Sequence, residues 1–202
     1  YKETGIHMVN EDHTIKLFSD AANQVRYQSV TFKFKQLSFH NPSEHTVNGE
    51  QFPLEAQLLH ESNRGERLII GVFFERGPKN EKLQPLFNRF PENLNQTYKS
   101  STTIPLQAFI PDRSGLFGYS GSLTTPPGSQ GVNWFVYEQP ISLSPGQLSS
   151  YRAIHKNNNR PQQIRNDRKI LYYKNNSEQE EYEDSDDQNQ SGENGKEDER
   201  ND

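Results

Sequence analysis

The chain has 202 residues, of which 30% are hydrophobic and 24% charged, and a formal net charge of −5. That length allows one domain with a proper core plus additional segments. The absence of cysteine excludes structural disulfides and thiolate metal sites. No apolar run approaches the ~20 residues that a membrane-spanning helix needs, so we expect no transmembrane segment. A secreted or organellar location is left open, with any targeting segment outside this chain.

Negative charge is concentrated at the C-terminal end. Residues 177–202 contain twelve acidic and two basic residues, a net charge of −10, so residues 1–176 carry a net +5. From residue 175 onward almost no apolar side chain is available to offset the entropy of ordering. We therefore expect a folded domain over residues 1–174 and an acidic, disordered tail over 175–202. The domain charge is too diffuse to indicate nucleic-acid binding, whereas the tail is compatible with a cation or a basic partner.

Short strands are predicted in the first 35 residues, where apolar runs at Gly5–Val9 and Thr14–Leu17 flank a polar, turn-like segment ending at His13. A longer apolar run then leads through Gln36-Leu37-Ser38-Phe39-His40. Its β-prone residues predict a strand, on which Ser38 and His40 point to the same face. The Asn48-Gly49 pair that follows predicts a hairpin.

A second strand is predicted over Leu54–His60, where Glu55, Gln57 and Leu59 share one face and His60 lies on the other. If this strand pairs with the one before it, Ser38, His40 and Gln57 converge on one patch.

Later segments predict a central strand and a surface helix. Arg67–Phe74 is continuously apolar and suits a strand buried on both faces. Lys79–Ser101 has apolar residues at helical spacing before Pro91, which predicts a short surface helix.

Three motifs resemble those of the α-carbonic anhydrases. They are the strand Gln36–His40 with the following Pro42-Ser43-Glu44-His45-Thr46, the segment Tyr119–Pro127, and the loop Asn158–Gln163. The segment Tyr119–Pro127 matches the corresponding family motif almost letter for letter. The resemblance runs from about Gly5 to about Tyr173; the family's N-terminal portion, with its Ser-Pro-Ile-Asn-Ile-like strand, is not in this chain. It implies an α/β fold with a large, mixed, mainly antiparallel central sheet and short peripheral helices. It also implies a strand over Gly131–Val136 and a helix over Gln147–His155.

The resemblance also implies a site. In that family three histidines hold a catalytic zinc ion, and their positions here are Ser38, His40 and Gln57, of which only His40 is histidine. A threonine–glutamate pair orients the zinc-bound hydroxide, and these positions are Thr124 and Glu44.

Around this centre, the resemblance places His13 at the position of the family's proton-shuttling histidine, although Asp12 replaces the usual glycine. It places Glu55 and His45 around the ligands, where they are expected to persist as hydrogen-bonded core residues.

Three functions remain in competition on these grounds. The first is a carbonic anhydrase-like domain that has lost CO2 hydration and zinc, and keeps its fold to bind or assemble with a protein partner. The second is a zinc-dependent carbonic anhydrase with an altered metal site, and the third is a storage or matrix protein whose acidic tail carries the role. We favour the first, and so expect no cofactor and no enzymatic activity, because serine and glutamine are weak zinc ligands.

Overall fold

The structure, a computed structural model, describes residues 1–112 and 114–174 and the backbone of Glu178–Glu181. Two α-helices, α1 (Gln84–Phe87) and α2 (Pro145–Arg152), and a 3-10 turn at Leu106–Phe109 lie among the strands. The strands in chain order are β1 Glu3–Asn10, β2 Ile15–Phe18, β3 Gln24–Tyr27, β4 Val30–His40, β5 Thr46–Val47, β6 Glu50–Gln51, β7 Leu54–Ser62, β8 Arg67–Arg76, β9 Thr97–Pro105, β10 Leu116–Ser122, β11 Gln130–Tyr137, β12 Ile141–Leu143, β13 Leu171–Lys174 and β14 Glu178–Glu181.

Twelve of these strands form one sheet in the order β14-β13-β10-β11-β8-β7-β4-β2-β1-β9, with β12 beside β8 and β3 beside β4. β8 pairs in parallel with β11 and β12, and the other pairs are antiparallel. This confirms the expected mixed, mainly antiparallel sheet with few short helices. The predicted hairpin also forms, because Asn48 and Gly49 adopt φ values of 50° and 75° between β5 and β6.

The core lies on both faces of this sheet. Alternate residues of β8 face opposite sides, so Ile70 and Phe74 pack in the larger core while Ile69 and Phe73 join a smaller cluster around Trp134. Removing apolar surface from water on both sides stabilises the central strands. The prediction that this strand is buried on both faces is confirmed.

A short helix was predicted before Pro91 in the segment Lys79–Ser101, and α1 lies there. It has only four residues, and β9 begins at Thr97. The apolar residues at helical spacing are buried in the larger core, and two of them lie outside the helix; they are Leu83, Leu86, Phe87 and Phe90. The spacing therefore indicates which side chains face the core, but not how many of these residues are helical.

The second predicted helix is present as α2, although it begins at Pro145 and ends at Arg152. Ser144 and Gln147 form a capping box in which each side chain bonds the backbone of the other. The Gln147 amide also bonds both backbone groups of Asn80, with distances of 3.0 Å and 2.9 Å. These bonds attach α2 to the loop that follows β8.

Only four residues of the predicted acidic tail are described. Glu178–Glu181 form β14, which pairs antiparallel with Leu171–Lys174, and here the structure differs from the expected disorder. Backbone hydrogen bonding to an open sheet edge needs no apolar side chain, so composition does not predict it. The rest of the tail prediction lies outside the described residues. In the part of the chain that is described, no helix is long and apolar enough to cross a membrane.

Candidate functional site

Ser38, His40 and Gln57 come together where β4 pairs with β7. Ser38 lies directly opposite Gln57 across the two strands, and the Ser38 hydroxyl is 3.4 Å from His40 Nε2. His40 and Gln57 are buried, and Ser38 is half-buried. All three lie on the face of the smaller apolar cluster, because their neighbours Leu37 and Phe39 belong to the larger core. The convergence predicted from strand alternation is observed.

The Gln57 side chain connects two buried carboxylates. Its Nε2 donates to Glu44 Oε2 at 2.8 Å and to Glu55 Oε1 at 3.2 Å, which uses both amide hydrogens. The two carboxylates are 6% and 0% exposed, so a lost partner here leaves a buried charge unsatisfied. The amide nitrogen at this position is therefore a hydrogen-bond donor facing negative charge.

Glu44 is held by further groups on its second oxygen. Oε1 accepts from the Arg160 backbone N–H at 2.7 Å and lies 3.0 Å from His40 Nδ1, a contact without hydrogen-bond geometry. Burial alone raises the pKa of Glu44, but the adjacent His40, the Arg160 N–H and the Gln57 amide outweigh burial and lower it to about 2. Glu44 is ionised at neutral pH.

The hydrogen bond expected between Thr124 and Glu44 is not formed among the described residues. Thr124 lines the same cavities as Glu44, but both oxygens of the carboxylate are engaged by Gln57, Arg160 and His40. The orienting role assigned to Thr124 and Glu44 by the resemblance therefore stays a prediction.

A second network lies beneath the first and is complete. His45 contacts Glu55 Oε1 through Nδ1 and the Tyr119 hydroxyl through Nε2, both at 2.7 Å. Glu55 Oε2 also accepts the backbone N–H groups of Glu44 and His45 at 2.9 Å and 3.1 Å. Burial lowers the pKa of His45, but Glu55 outweighs burial and the net shift is upward. His45 and Glu55 thus persist as hydrogen-bonded core residues, as expected.

Tyr119 and Arg160 take part in the site without having been predicted from the sequence to do so. Tyr119 begins the Tyr119–Pro127 motif, which was the available signal, but its partner His45 is 74 residues away in sequence. Arg160 acts through its backbone N–H, which no side-chain pattern reveals.

A cavity of about 560 Å³ opens over this site, lined by His40, Glu44, Thr124 and the loop residues 157–160, with His13 among them. The His13 side chain is 69% exposed, and its Nε2 lies 3.4 Å from Asp12. The position given by the resemblance therefore does face the site. A proton-shuttling role for His13 stays a prediction.

The other histidine near these strands does not belong to the site. His60 lies on the opposite face of β7, fully buried, with Nε2 2.8 Å from the Tyr1 hydroxyl. This placement agrees with the alternation predicted along the strand, which put His60 on the face opposite Gln57.

Residues 1–174 match the family profile described as eukaryotic-type carbonic anhydrase. The chain belongs to the α-carbonic anhydrase family. A carbonic anhydrase of Klebsiella pneumoniae is 37% identical over 174 residues, covering 85% of this chain and 71% of its own. Dioscorin dioA3 of Dioscorea japonica is 32% identical over 181 residues, covering 86% and 66%. The solved α-carbonic anhydrase of Thermovibrio ammonificans, a complex with sulfanilamide, superimposes with a TM-score of 0.81 at 38% identity, covering 84% and 76%.

The zinc site of a carbonic anhydrase needs three imidazole ligands and one open position. At the three positions this chain presents a hydroxyl, one imidazole, and an amide whose nitrogen is directed at two carboxylates. Within the described residues, no group of three or more His, Cys, Asp or Glu side chains could hold a metal ion. The side chains present at this site therefore do not match the donor set of the family's zinc.

Proposed function

We propose that this chain is a carbonic anhydrase-like domain without CO2 hydration activity, retained for binding or assembly with a protein partner. The observation that carries the proposal is the Gln57 amide nitrogen, which donates to both Glu44 and Glu55. At a position where the family has a zinc-ligating histidine, this chain has a side chain that donates hydrogen bonds to two carboxylates. A neutral imidazole placed there has one N–H, so it could keep at most one of these two bonds.

The chemistry of the family supports the proposal. A zinc ion lowers the pKa of its bound water to about 7, which supplies hydroxide at neutral pH. Ser38 offers a protonated hydroxyl and Gln57 a neutral amide, so one imidazole, that of His40, is left to hold the metal. Both oxygens of Glu44 already accept hydrogen bonds, from Gln57 and from the Arg160 backbone N–H, and these bonds compete with one from Thr124.

The opposing candidate is an active zinc-dependent carbonic anhydrase with an altered site. Its support is that similar proteins such as that of Klebsiella pneumoniae are named carbonic anhydrases, and that His13 and His40 line one cavity. The storage or matrix role depends on the acidic tail, which lies almost wholly outside the described residues, and stays a prediction.

The test compares the unmodified chain with the double variant Ser38→His with Gln57→His. We expect the unmodified chain to hydrate CO2 no faster than buffer, even with added zinc, and the double variant to bind about one zinc per chain. If ~10–16 kcal/mol of zinc binding is divided evenly over four ligands, two imidazoles correspond to a Kd roughly 10⁴-fold to 10⁶-fold lower. In the variant Glu44 loses its Gln57 partner and becomes available to Thr124, so hydration should be measurable.

Zinc content by elemental analysis and CO2 hydration by stopped flow are measured on the same preparations. The matched control is Ser101→His with Gln139→His, which introduces two histidines at exposed positions outside the cavity. Zinc-dependent hydration by the unmodified chain would refute the proposal. A double variant that binds no more zinc than the control would refute the assignment of the ligand positions.

A further inference from the structure

Four cations lie together in the loop between α2 and β13. We call Arg160, Arg165, Arg168 and Lys169 the basic face; among residues 157–170 only Asp167 opposes them. The three arginines line a cavity of about 210 Å³ beside the site described above. They are half-buried and Lys169 is exposed.

Hydrogen bonds within the loop hold the guanidinium groups of Arg165 and Arg168 in place. Arg168 Nε donates to the Arg165 carbonyl at 2.7 Å, and Arg165 Nε donates to the Arg168 carbonyl at 3.1 Å. The Arg168 guanidinium also lies 5.8 Å from the centre of the Tyr119 ring, a cation–π contact. Neither Arg160 nor Arg168 has an ion pair with a carboxylate in residues 1–112 or 114–174. The carboxylate of Glu44 lines the same cavity, but it forms no ion pair with either guanidinium.

Strand register directs the acidic end of the chain towards this face. β14 runs antiparallel to β13, with Lys174 opposite Glu178 and Leu171 opposite Glu181. A chain leaving Glu181 in that direction passes the residues that precede Leu171, which are Ile170, Lys169 and Arg168. The next six residues, Tyr-Glu-Asp-Ser-Asp-Asp at 182–187, include four carboxylates and reach ~20 Å when extended.

We propose that the basic face is a binding surface for an acidic peptide, and that its occupant in this chain is the acidic segment 183–187. Arginine and carboxylate form charge-assisted, often bidentate hydrogen bonds, and a half-buried guanidinium is less screened by salt than an exposed one. The short connection to β14 gives the segment an effective concentration on the order of mM at the face. Weak individual contacts therefore suffice to keep it bound.

Two full-length variants of equal charge test this. The proximal variant carries Glu183→Gln, Asp184→Asn, Asp186→Asn and Asp187→Asn; the distal variant carries Glu193→Gln, Glu197→Gln, Asp198→Asn and Glu199→Gln. The probe is a labelled synthetic peptide with the sequence of residues 182–188, followed by fluorescence anisotropy at low and high salt. Emission of Trp134, the one tryptophan, monitors folding.

We expect the peptide to bind the proximal variant ~10-fold or more tightly than the unmodified chain, because the tethered competitor is gone. The distal variant should match the unmodified chain, and binding should weaken with salt. Adding Arg165→Gln to the proximal variant should weaken its binding of the peptide again. Equal affinity for all three proteins, or no measurable binding to the folded proximal variant, would overturn the proposal.

Discussion

Burial of His60 should make the stability of this protein depend on pH between about 4 and 6.5. The side chain is fully buried among apolar residues, and its Nε2 lies 2.8 Å from the Tyr1 hydroxyl. Burial lowers the pKa of His60 from 6.5 to about 4, although the backbone carbonyls of Leu58 and Leu68 act in the opposite direction. The folded protein therefore keeps this ring neutral where the unfolded chain binds a proton.

The direction of the pH dependence of stability follows from this difference in proton binding between the folded and unfolded states. Stability is highest above the unfolded pKa of 6.5 and falls as the pH drops towards 4, because protons then bind the unfolded state preferentially. At about 1.4 kcal/mol per pKa unit, the free energy of unfolding should fall by roughly 3 kcal/mol between pH 6.5 and pH 4 because of this group. The variant His60→Leu removes the titrating group, so its free energy of unfolding should lack this part of the pH dependence.

The assay is urea unfolding followed by Trp134 fluorescence at several pH values from 6.5 down to 4. We expect the free-energy difference between the unmodified chain and His60→Leu to change by roughly 3 kcal/mol over this range, in favour of the variant at low pH. His13→Gln is the matched control, because it replaces a histidine whose side chain is 69% exposed instead of buried. A difference that stays constant across the window would refute the argument that burial sets the protonation of His60.

Two further predictions concern the buried polar networks. The pKa of Glu44 is lowered to about 2, so the ionised carboxylate stabilises the fold fully above pH 4.5 and this stabilisation is lost towards pH 2. Over that range the free energy of unfolding of the unmodified chain should fall by roughly 3 kcal/mol more than that of Glu44→Gln, as measured by acid unfolding. Tyr119→Phe deletes the hydroxyl 2.7 Å from His45 Nε2 and should cost about 1–3 kcal/mol in urea unfolding at neutral pH. Tyr98→Phe, at a half-buried tyrosine on β9, is its control and should cost little. Equal losses in either comparison would contradict the assigned hydrogen bonds.

Local pattern alone determined the strands that build the site. Side chains alternate along a strand whatever the tertiary context, so the sequence already placed Ser38 and His40 on one face and His60 on the opposite face from Gln57. The Asn48-Gly49 turn followed from the positive φ that both positions require. The same local reasoning predicted a short helix before Pro91 but not its length of four residues, because apolar spacing indicates burial and does not distinguish helical residues from a loop packed on the sheet.

The tertiary structure alone decided how the buried charges are satisfied. Glu44 is bonded by Arg160, which is 116 residues away, and His45 by Tyr119, which is 74 residues away. The family resemblance identified Gln57 as a non-histidine residue at a ligand position, but not as the donor that joins Glu44 to Glu55. Hydrogen-bond partners depend on register and loop placement to within an ångström, and these arise from packing of the whole sheet.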